Sequence, residues 1–335
     1  MTKPEIVKEY LDKYPPDFPN LTLARIIYTA NTSAFMDIED ARGVIRTVLG
    51  KNGKDKKYKD HEKYHRKEDK SKNPYSLPET WADERRVFKL PVGCNKIGFI
   101  SDAQVPFQDN KSIETAFTWL KDKGINTLFL NGDLIDFYQL SNFQKDPRKR
   151  NFKKEYYTIL QMLEYIRNFF PDITIYYNLD ANHELRYERY MMIKAPELLS
   201  LELPETRLED LLKLSSFGII PLRGNHHIMI GKLPVVHGHT LFNGQTSPVS
   251  TARTVWMKAK SSAIASHCHQ VNEYTVRLPF SDEIQTCWTT GCLMDLNVEY
   301  NRHGHSYAHG FAYIETDRDG SYRVENKRIL NGKVL

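Results

Sequence analysis

Between residues 102 and 269, five short polar clusters each follow a brief apolar run: Asp102-Ala103-Gln104, Gly132-Asp133-Leu134-Ile135-Asp136, Asn182-His183-Glu184, His237-Gly238-His239 and His267-Cys268-His269. Ten of the twelve histidines lie between His183 and His309, so the imidazoles are concentrated in the same part of the chain. One histidine at a strand-to-loop junction reads as an ordinary hydrogen-bonding residue. Five polar clusters in succession read as a metal site. Carboxylate, amide oxygen and imidazole without thiolate suit Mn, Fe, Zn or Mg rather than a structural zinc. A carboxylate that bridges two ions also lets them sit about 3.5–4 Å apart, the spacing used for displacement at phosphorus. Cys94, Cys268, Cys287 and Cys292 form no CxxC pair and are expected as reduced thiols, which argues against zinc held by cysteine.

These clusters need strands to hold them. Apolar runs over Lys96–Ile100, Thr127–Asn131, Ile173–Leu179, Leu233–Val236 and Ala263–Ser266 predict five strands that end at the five clusters, where open α/β sheets place their ligands. Amphipathic spacing predicts helices over Ser112–Lys123 and Lys153–Phe170, with shorter ones near Leu208–Leu214 and Ser250–Lys258. Strands then dominate, over Glu273–Leu278, Gln285–Thr290 and Gly310–Thr316. This alternation, passing into a strand-rich end, predicts an α/β sandwich of two mixed sheets faced by helices.

The first fifty residues read differently. Ile6, Tyr10 and Leu11, then Leu23, Ile26 and Ile27, then Ile38, Ala41, Val44, Ile45 and Val48 recur at helical intervals, so residues 1–50 form a small all-α module. Asn31-Thr32-Ser33 breaks the pattern and Asp37 or Asp40 can cap the next helix, an order shared by helix-turn-helix DNA readers and by packing or dimerisation modules. Residues 51–83 form a basic linker: Lys51 to Asn73 holds ten basic and five acidic residues, leaving 37 of each sign elsewhere in a chain of net charge +5. That stretch suits a phosphate-rich partner or a solvated connection equally. The remaining span, 84–335, is the α/β domain. With 335 residues, 40% apolar, the chain can bury a real core, and no run of eighteen apolar residues or signal-peptide pattern is present. A soluble, cytoplasmic protein with no membrane association is expected.

The ordered clusters resemble the calcineurin-like metallophosphoesterases, whose pattern is DxH, GDxxD, GNH followed by an acid, a lone H, then GHxH. Here the matching blocks are Asp102-Ala103-Gln104, Gly132-Asp133-Leu134-Ile135-Asp136, Ala181-Asn182-His183-Glu184, His237 and Ser266-His267-Cys268-His269. The N-terminal module and Gly291-Cys292-Leu293-Met294-Asp295-Leu296-Asn297 look similar to phage-encoded members, for which the compartment would be the host cytoplasm. The resemblance implies a four-layer sandwich. It also implies two divalent ions, Mn the best match with Mg, Fe, Zn or Ni as alternatives. One ion would be held by Asp102, Gln104, Asp133 and His269, the other by Asp133, Asn182, His237 and His267. Asp133 is then the bridge, a hydroxide between the ions attacks phosphorus, and His183 gives a proton to the leaving oxygen. Asp136 and Glu184 are expected to orient His183 or a neighbouring loop, and Arg186, Arg189 and His239 to meet substrate phosphate.

Three positions depart from the pattern. Gln104 replaces a histidine, and a neutral amide is a poorer ligand for zinc or iron, which shifts that site toward Mn or Mg. Ala181 and Ser266 replace glycines, at little cost if φ stays negative. Gly224-Asn225-His226-His227 also spells GNH, but it lacks the following acid and runs straight into the His237 strand, so it is read as a hairpin with exposed histidines. His303, His305 and His309 are either phosphate contacts or polar loop residues, Arg148, Lys149 and Arg150 either meet a nucleic-acid backbone or begin a helix, and Cys268 is expected to point into the core. The reading is a phosphodiester hydrolase, with nucleic acid or a nucleotide as substrate. Its rivals are a hydrolase of small nucleotides or phosphomonoesters, and a DNA-binding protein with weak catalysis.

Overall fold

In this computed structural model the described residues are 1–14, 18–50, 86–142, 146, 148, 151–225, 227–242, 249–298 and 305–335. The chain divides into two compact units, Met1–Ala82 and Asp83–Leu335. The stretch expected as a basic linker, together with Lys149, Arg150, His226 and His303, lies outside the described residues.

The first unit contains helices α1 (Lys3–Lys13), α2 (Asn20–Ala30) and α3 (Ile38–Leu49). Their apolar stripes, among them Val7, Leu23, Ile27, Ala41 and Ile45, meet in one small core that also takes Phe35. Of the two candidate caps it is Asp37 that starts α3, its carboxylate accepting the Asp40 N–H at 2.7 Å. Asp40 instead pairs with Lys3 at 2.6 Å, tying α1 to the start of α3. The connection between α2 and α3, residues 31–37, is longer than the turn of about three or four residues that joins a helix-turn-helix.

The second unit holds two mixed sheets. One has seven strands in the order β13-β12-β11-β2-β3-β4-β5, and the other six in the order β1-β6-β7-β8-β10-β9. The strands in chain order are β1 (Val87–Lys89), β2 (Lys96–Ile100), β3 (Thr127–Leu130), β4 (Thr174–Asn178), β5 (Ile219–Leu222), β6 (His227–Ile230), β7 (Leu233–Val235), β8 (Ala263–Ala265), β9 (Asn272–Arg277), β10 (Ile284–Thr289), β11 (His309–Thr316), β12 (Tyr322–Leu330) and β13 (Lys333–Val334). Neighbours β2, β3, β4 and β5 run parallel, as do β7 and β8. Side chains alternate between the two faces of each strand, so Ile97, Phe99, Phe129 and Tyr176 face Ile228, Ile230, Val235 and Ile264 of the other sheet in a shared core. On the outer face Ile100, Leu128, Leu130, Ile175 and Tyr177 pack with residues of α4 (Asn110–Asp122) and α5 (Phe152–Phe169). Val255 of α9 (Thr251–Ala259) covers Ala263, Ala265 and Cys287 on the far side of the second sheet. Helix, sheet, sheet, helix is the four-layer sandwich that the clusters require. Among the described residues no helix is long and apolar enough to cross a membrane.

Elements beyond those expected are β1, which pairs in parallel with β6, the strands β5, β6, β12 and β13, and the helices α6 (Glu184–Lys194) and α7 (Pro196–Ser200), which precede α8 (Leu208–Leu211).

Candidate metal centre

All five clusters sit just past the C-terminal ends of β2, β3, β4, β7 and β8. Past β2, β3 and β8 the chain bends into the left-handed region. Asp102, Gln104, Asp133, His267 and His269 have φ of 54, 47, 49, 71 and 58°, so half of the ten non-glycine residues with positive φ among the described residues are candidate ligands. Backbone strain held at one place by the surrounding fold points to function there. Ala181 and Ser266 are not among the positive-φ residues, which is why they can replace glycine. The Ala181 methyl instead fills space beside Gly132, and the Ser266 hydroxyl accepts from Asn131 Nδ2 at 2.9 Å and lies 3.0 Å from Thr290 Oγ1.

Asp133, His237 and His267 each offer a ligand atom within 4.8 Å of the others. Asn182 joins them through Oδ1, 3.1 Å from His237 Nε2. His237 is fixed from behind, its Nδ1 2.8 Å from the Asn131 carbonyl, so Nε2 faces the cluster. Beside this group Asp102 Oδ1 is 3.0 Å from His269 Nε2, and Gln104 Nε2 lies 3.3 Å from the same nitrogen. Gln104 thus turns its amide nitrogen toward His269, and a half-turn of the amide places its oxygen there instead. The carboxylates are buried to 0% and 1% exposure, so charge here needs a counter-charge.

The electrostatics suit a cation site. Burial opposes ionisation of both carboxylates, yet His269 holds Asp102 below its usual range, and His183 and His237 hold Asp133 well below. Burial pushes His237 down, but Asp133 and Asp102 outweigh it and raise the ring to about 10. Burial and the neighbouring His237 bring His239 and His267 to about 4, leaving neutral rings with lone pairs to offer. His267 Nδ1, His269 Nδ1 and His239 Nδ1 are buried without a hydrogen-bond partner, and Asp133 Oδ2 lies 3.2 Å from the His237 Nε2 that holds its charge. Anionic oxygens and neutral imidazoles converging with unspent acceptors fit divalent cations, which would take over the work of the His237 proton.

Next to the cluster, His183 is 7% exposed; its N–H donates to Asp133 Oδ1 at 3.0 Å, and its Nε2 lies 3.6 Å from Asp133 Oδ2. Asp136 Oδ2 is 4.0 Å from Nδ1. Arg186, expected at substrate phosphate, is only 16% exposed: Nη1 donates to the Asp136 carbonyl and carboxylate at 2.6 and 3.0 Å, and Nη2 lies 3.0 Å from His183 Nε2. Glu184 holds the loop that bears Asp133, accepting the N–H groups of Asp133 and Leu134 at 2.9 and 3.0 Å. Burial and Asp133 raise its carboxyl to about 7 even though the Tyr177 hydroxyl donates to it at 2.6 Å. Tyr177 is a site residue the sequence concealed, because an aromatic at a strand position reads as core.

Other candidates fall elsewhere. His309 is spent on Ser112 Oγ at 2.8 Å and the Met294 carbonyl at 2.8 Å, and His305 on the Leu296 carbonyl at 2.6 Å. These histidines anchor the 291–297 segment, whose Leu293 N–H donates to the Asp102 carbonyl at 3.0 Å. Arg148 pairs with Asp146, and α5 starts only at Phe152 with Asn151 as its cap. Asn225 and Gly224 give their N–H groups to Asp180, whereas His227 is half-buried in β6 rather than exposed. Cys268 packs against the core under α9. Arg189 lies close enough to His239 to help keep its ring neutral.

No protein-family model matches the chain. A search of curated proteins finds the Gene 54 protein of Mycobacterium phage L5, 24% identical over 232 residues, covering 66% of this chain and 89% of that one. Among solved structures, wild-type Vps29 complexed with zinc from Entamoeba histolytica is 12% identical with a TM-score of 0.35, covering 72% of this chain and 96% of its own. Chaetomium thermophilum Vps29 is 11% identical with a TM-score of 0.30, covering 70% and 95%. The E. coli phosphoesterase Yfce is 12% identical with a TM-score of 0.27, covering 68% and 96%. The order of the five clusters and the four-layer architecture that assembles them agree with the resemblance to the calcineurin-like metallophosphoesterases.

Proposed function

We propose that this chain is a metal-dependent phosphoesterase that hydrolyses phosphodiester bonds in DNA or nucleotides. The observation that carries this reading is the convergence of Asp133, His237 and His267 around unpartnered acceptor atoms, with His183 directly beside them. Asp133, Asn182, His237 and His267 would hold one divalent ion, and Asp102, Gln104, Asp133 and His269 a second, with Mn the best match to this oxygen-rich set. When bound, such ions supply Lewis acidity toward phosphoryl oxygens and lower the pKa of water into the neutral range. The chain supplies orientation and protons. Asp136 faces His183 Nδ1, which favours a proton on that nitrogen and aims Nε2 at the metal cluster. A substrate phosphate that draws the Arg186 guanidinium onto its oxygens frees Nε2 to take up a second proton from solvent, with Asp136 balancing the charge at Nδ1, and it is this Nε2 proton that would pass to the leaving oxygen.

Turnover of bis(4-nitrophenyl) phosphate, single- and double-stranded DNA and cyclic nucleotides by Mn-loaded protein tests the reading. Cleavage of the diesters, lost with EDTA and restored by Mn, is expected. Tight Mn binding with no phosphoester turned over would remove the enzymatic reading and leave a DNA-binding protein.

A further inference from the structure

A cleft of about 370 Å³ opens where the loops that leave Gln104 and Asp136 meet α5, lined among others by Phe107, Tyr138, Gln139, Lys154 and Glu155. Two of its walls are direct continuations of site loops. Phe107 closes the turn that starts at Gln104, its N–H donating to the Gln104 carbonyl at 2.8 Å, and Tyr138 lies two residues beyond Asp136. The two rings meet edge to face, centroids 6.0 Å apart at 71°. Tyr138 is pinned at both ends: its N–H donates to Glu155 Oε1 at 3.0 Å, and its hydroxyl accepts the Asp146 N–H at 3.0 Å. The aromatic wall is therefore ordered before any ligand arrives, and the volume lies within the usual range of about 300–1,000 Å³ for small-molecule sites. A second cleft of about 410 Å³, between α4 and α5, has Thr158 in common with the first.

Resting on the phosphodiesterase reading, we infer that this cleft receives the nucleobase next to the scissile phosphate, packed on Phe107 and Tyr138. The substrate is then a nucleotide-bearing diester and not a sugar or protein phosphoester. An apolar pocket rimmed by Gln139 and Lys154 matches a flat heteroaromatic ring with polar edges. Every base has a π face, so the cleft favours nucleotides over other phosphoesters without fixing a sequence.

The test compares the Mn-loaded full chain acting on a single-stranded oligonucleotide with the same chain carrying an abasic site at each position in turn. Binding of a 2-aminopurine trinucleotide, read by fluorescence quenching, gives a measure independent of turnover. Removal of one stacking partner is worth roughly tenfold, so one abasic position should lower wild-type kcat/KM by about that factor. In F107A and Y138A this discrimination should shrink toward unity and quenching should fall. Y138F keeps the ring and should keep the discrimination, which separates a lost wall from a lost fold. Oligonucleotide cleavage with no abasic effect, or with the wild-type discrimination intact in both alanine variants, would overturn the cleft while sparing the phosphodiesterase reading. No oligonucleotide cleavage and no quenching, with bis(4-nitrophenyl) phosphate still hydrolysed, would overturn the nucleobase site together with the nucleic-acid substrate.

Discussion

At Gly132 the chain turns with φ at +88°, and a Cβ there would lie 2.1 Å from the Ala181 methyl and 3.3 Å from His237 Nδ1. Gly132→Ala is expected to cost about 3 kcal/mol through strain and overpacking together. Adding Ala181→Gly should relieve the clash but not the strain, recovering roughly half; denaturant midpoints of the two variants check this. Asp133 carries more than packing, since it faces three imidazoles and its loop is gripped by Glu184. Asp133→Ala should lower turnover by at least about a thousandfold, the scale expected when electrostatic stabilisation is lost, and should remove at least one Mn equivalent in titration calorimetry. Full activity in metal-replete D133A protein would sink the two-ion arrangement. Gln104→His should tighten Zn and Mn binding, because it puts an imidazole where an amide now faces His269. Unchanged affinities would show that residue 104 is no ligand. Residue types and spacing picked out the five clusters, and the resemblance singled out Asp102, Asp133, His237 and His267 within them; the structure brings ligand atoms of Asp133, His237 and His267 within 4.8 Å of one another. Types and spacing could not reveal Tyr177, whose role depends on its hydroxyl meeting Glu184 across the β4 loop, nor that Arg186 turns inward onto Asp136 and His183.

Helix α5 supports the site loops from outside. Its Glu155 is 4% exposed, accepts the Tyr138 N–H, and so anchors the chain that leaves Asp136. Burial, helped by the nearby Asp136 charge, raises its carboxyl from an ordinary 4.5 to about 7. The folded state therefore holds a proton that the unfolded chain releases, so this group favours folding most below pH 4.5 and loses that advantage as pH rises to about 7. Glu155→Gln removes the titration, and the variant should gain on wild type by on the order of 2–3 kcal/mol between pH 4.5 and 8. Thermal melts across that range read it, and parallel curves would mean that Glu155 titrates normally. Periodicity located β2, β3, β4, β7, β8 and the long helices to within a residue or two, because each buries a clear apolar face. It missed β12, in which Arg323, Glu325, Lys327 and Arg328 break any apolar alternation and Ile329 is the one buried residue, and β5, where Pro221 interrupts a four-residue run. It also missed α6, in which Glu184 is the one buried residue, so the helix shows no apolar stripe.

Across the whole chain, each unit has a core of its own, around Leu23, Ile27 and Ile45 in the first and around both faces of the seven-stranded sheet in the second. Residues 83–335 carry every candidate ligand and should fold alone. Deleting residues 1–82 removes the ten basic and five acidic residues of Lys51 to Asn73 and no candidate ligand. If that basic stretch meets nucleic acid, it acts by releasing counterions, and the loss must appear in the salt dependence before it appears in the chemistry. Each neutralised phosphate adds about 0.9 to the slope of log affinity against log salt on duplex DNA and about 0.7 on single strands. A stretch engaging three phosphates should therefore make the full chain's KM for DNA steeper in salt by roughly 2–3, and the 83–335 protein should lose that increment. Its hydrolysis of bis(4-nitrophenyl) phosphate, which has no polymer backbone to engage, should stay within about twofold at every salt concentration. Identical salt slopes for the two proteins on DNA would assign residues 1–82 to assembly, and small-nucleotide turnover indifferent to the deletion would move the substrate from nucleic acid to nucleotide.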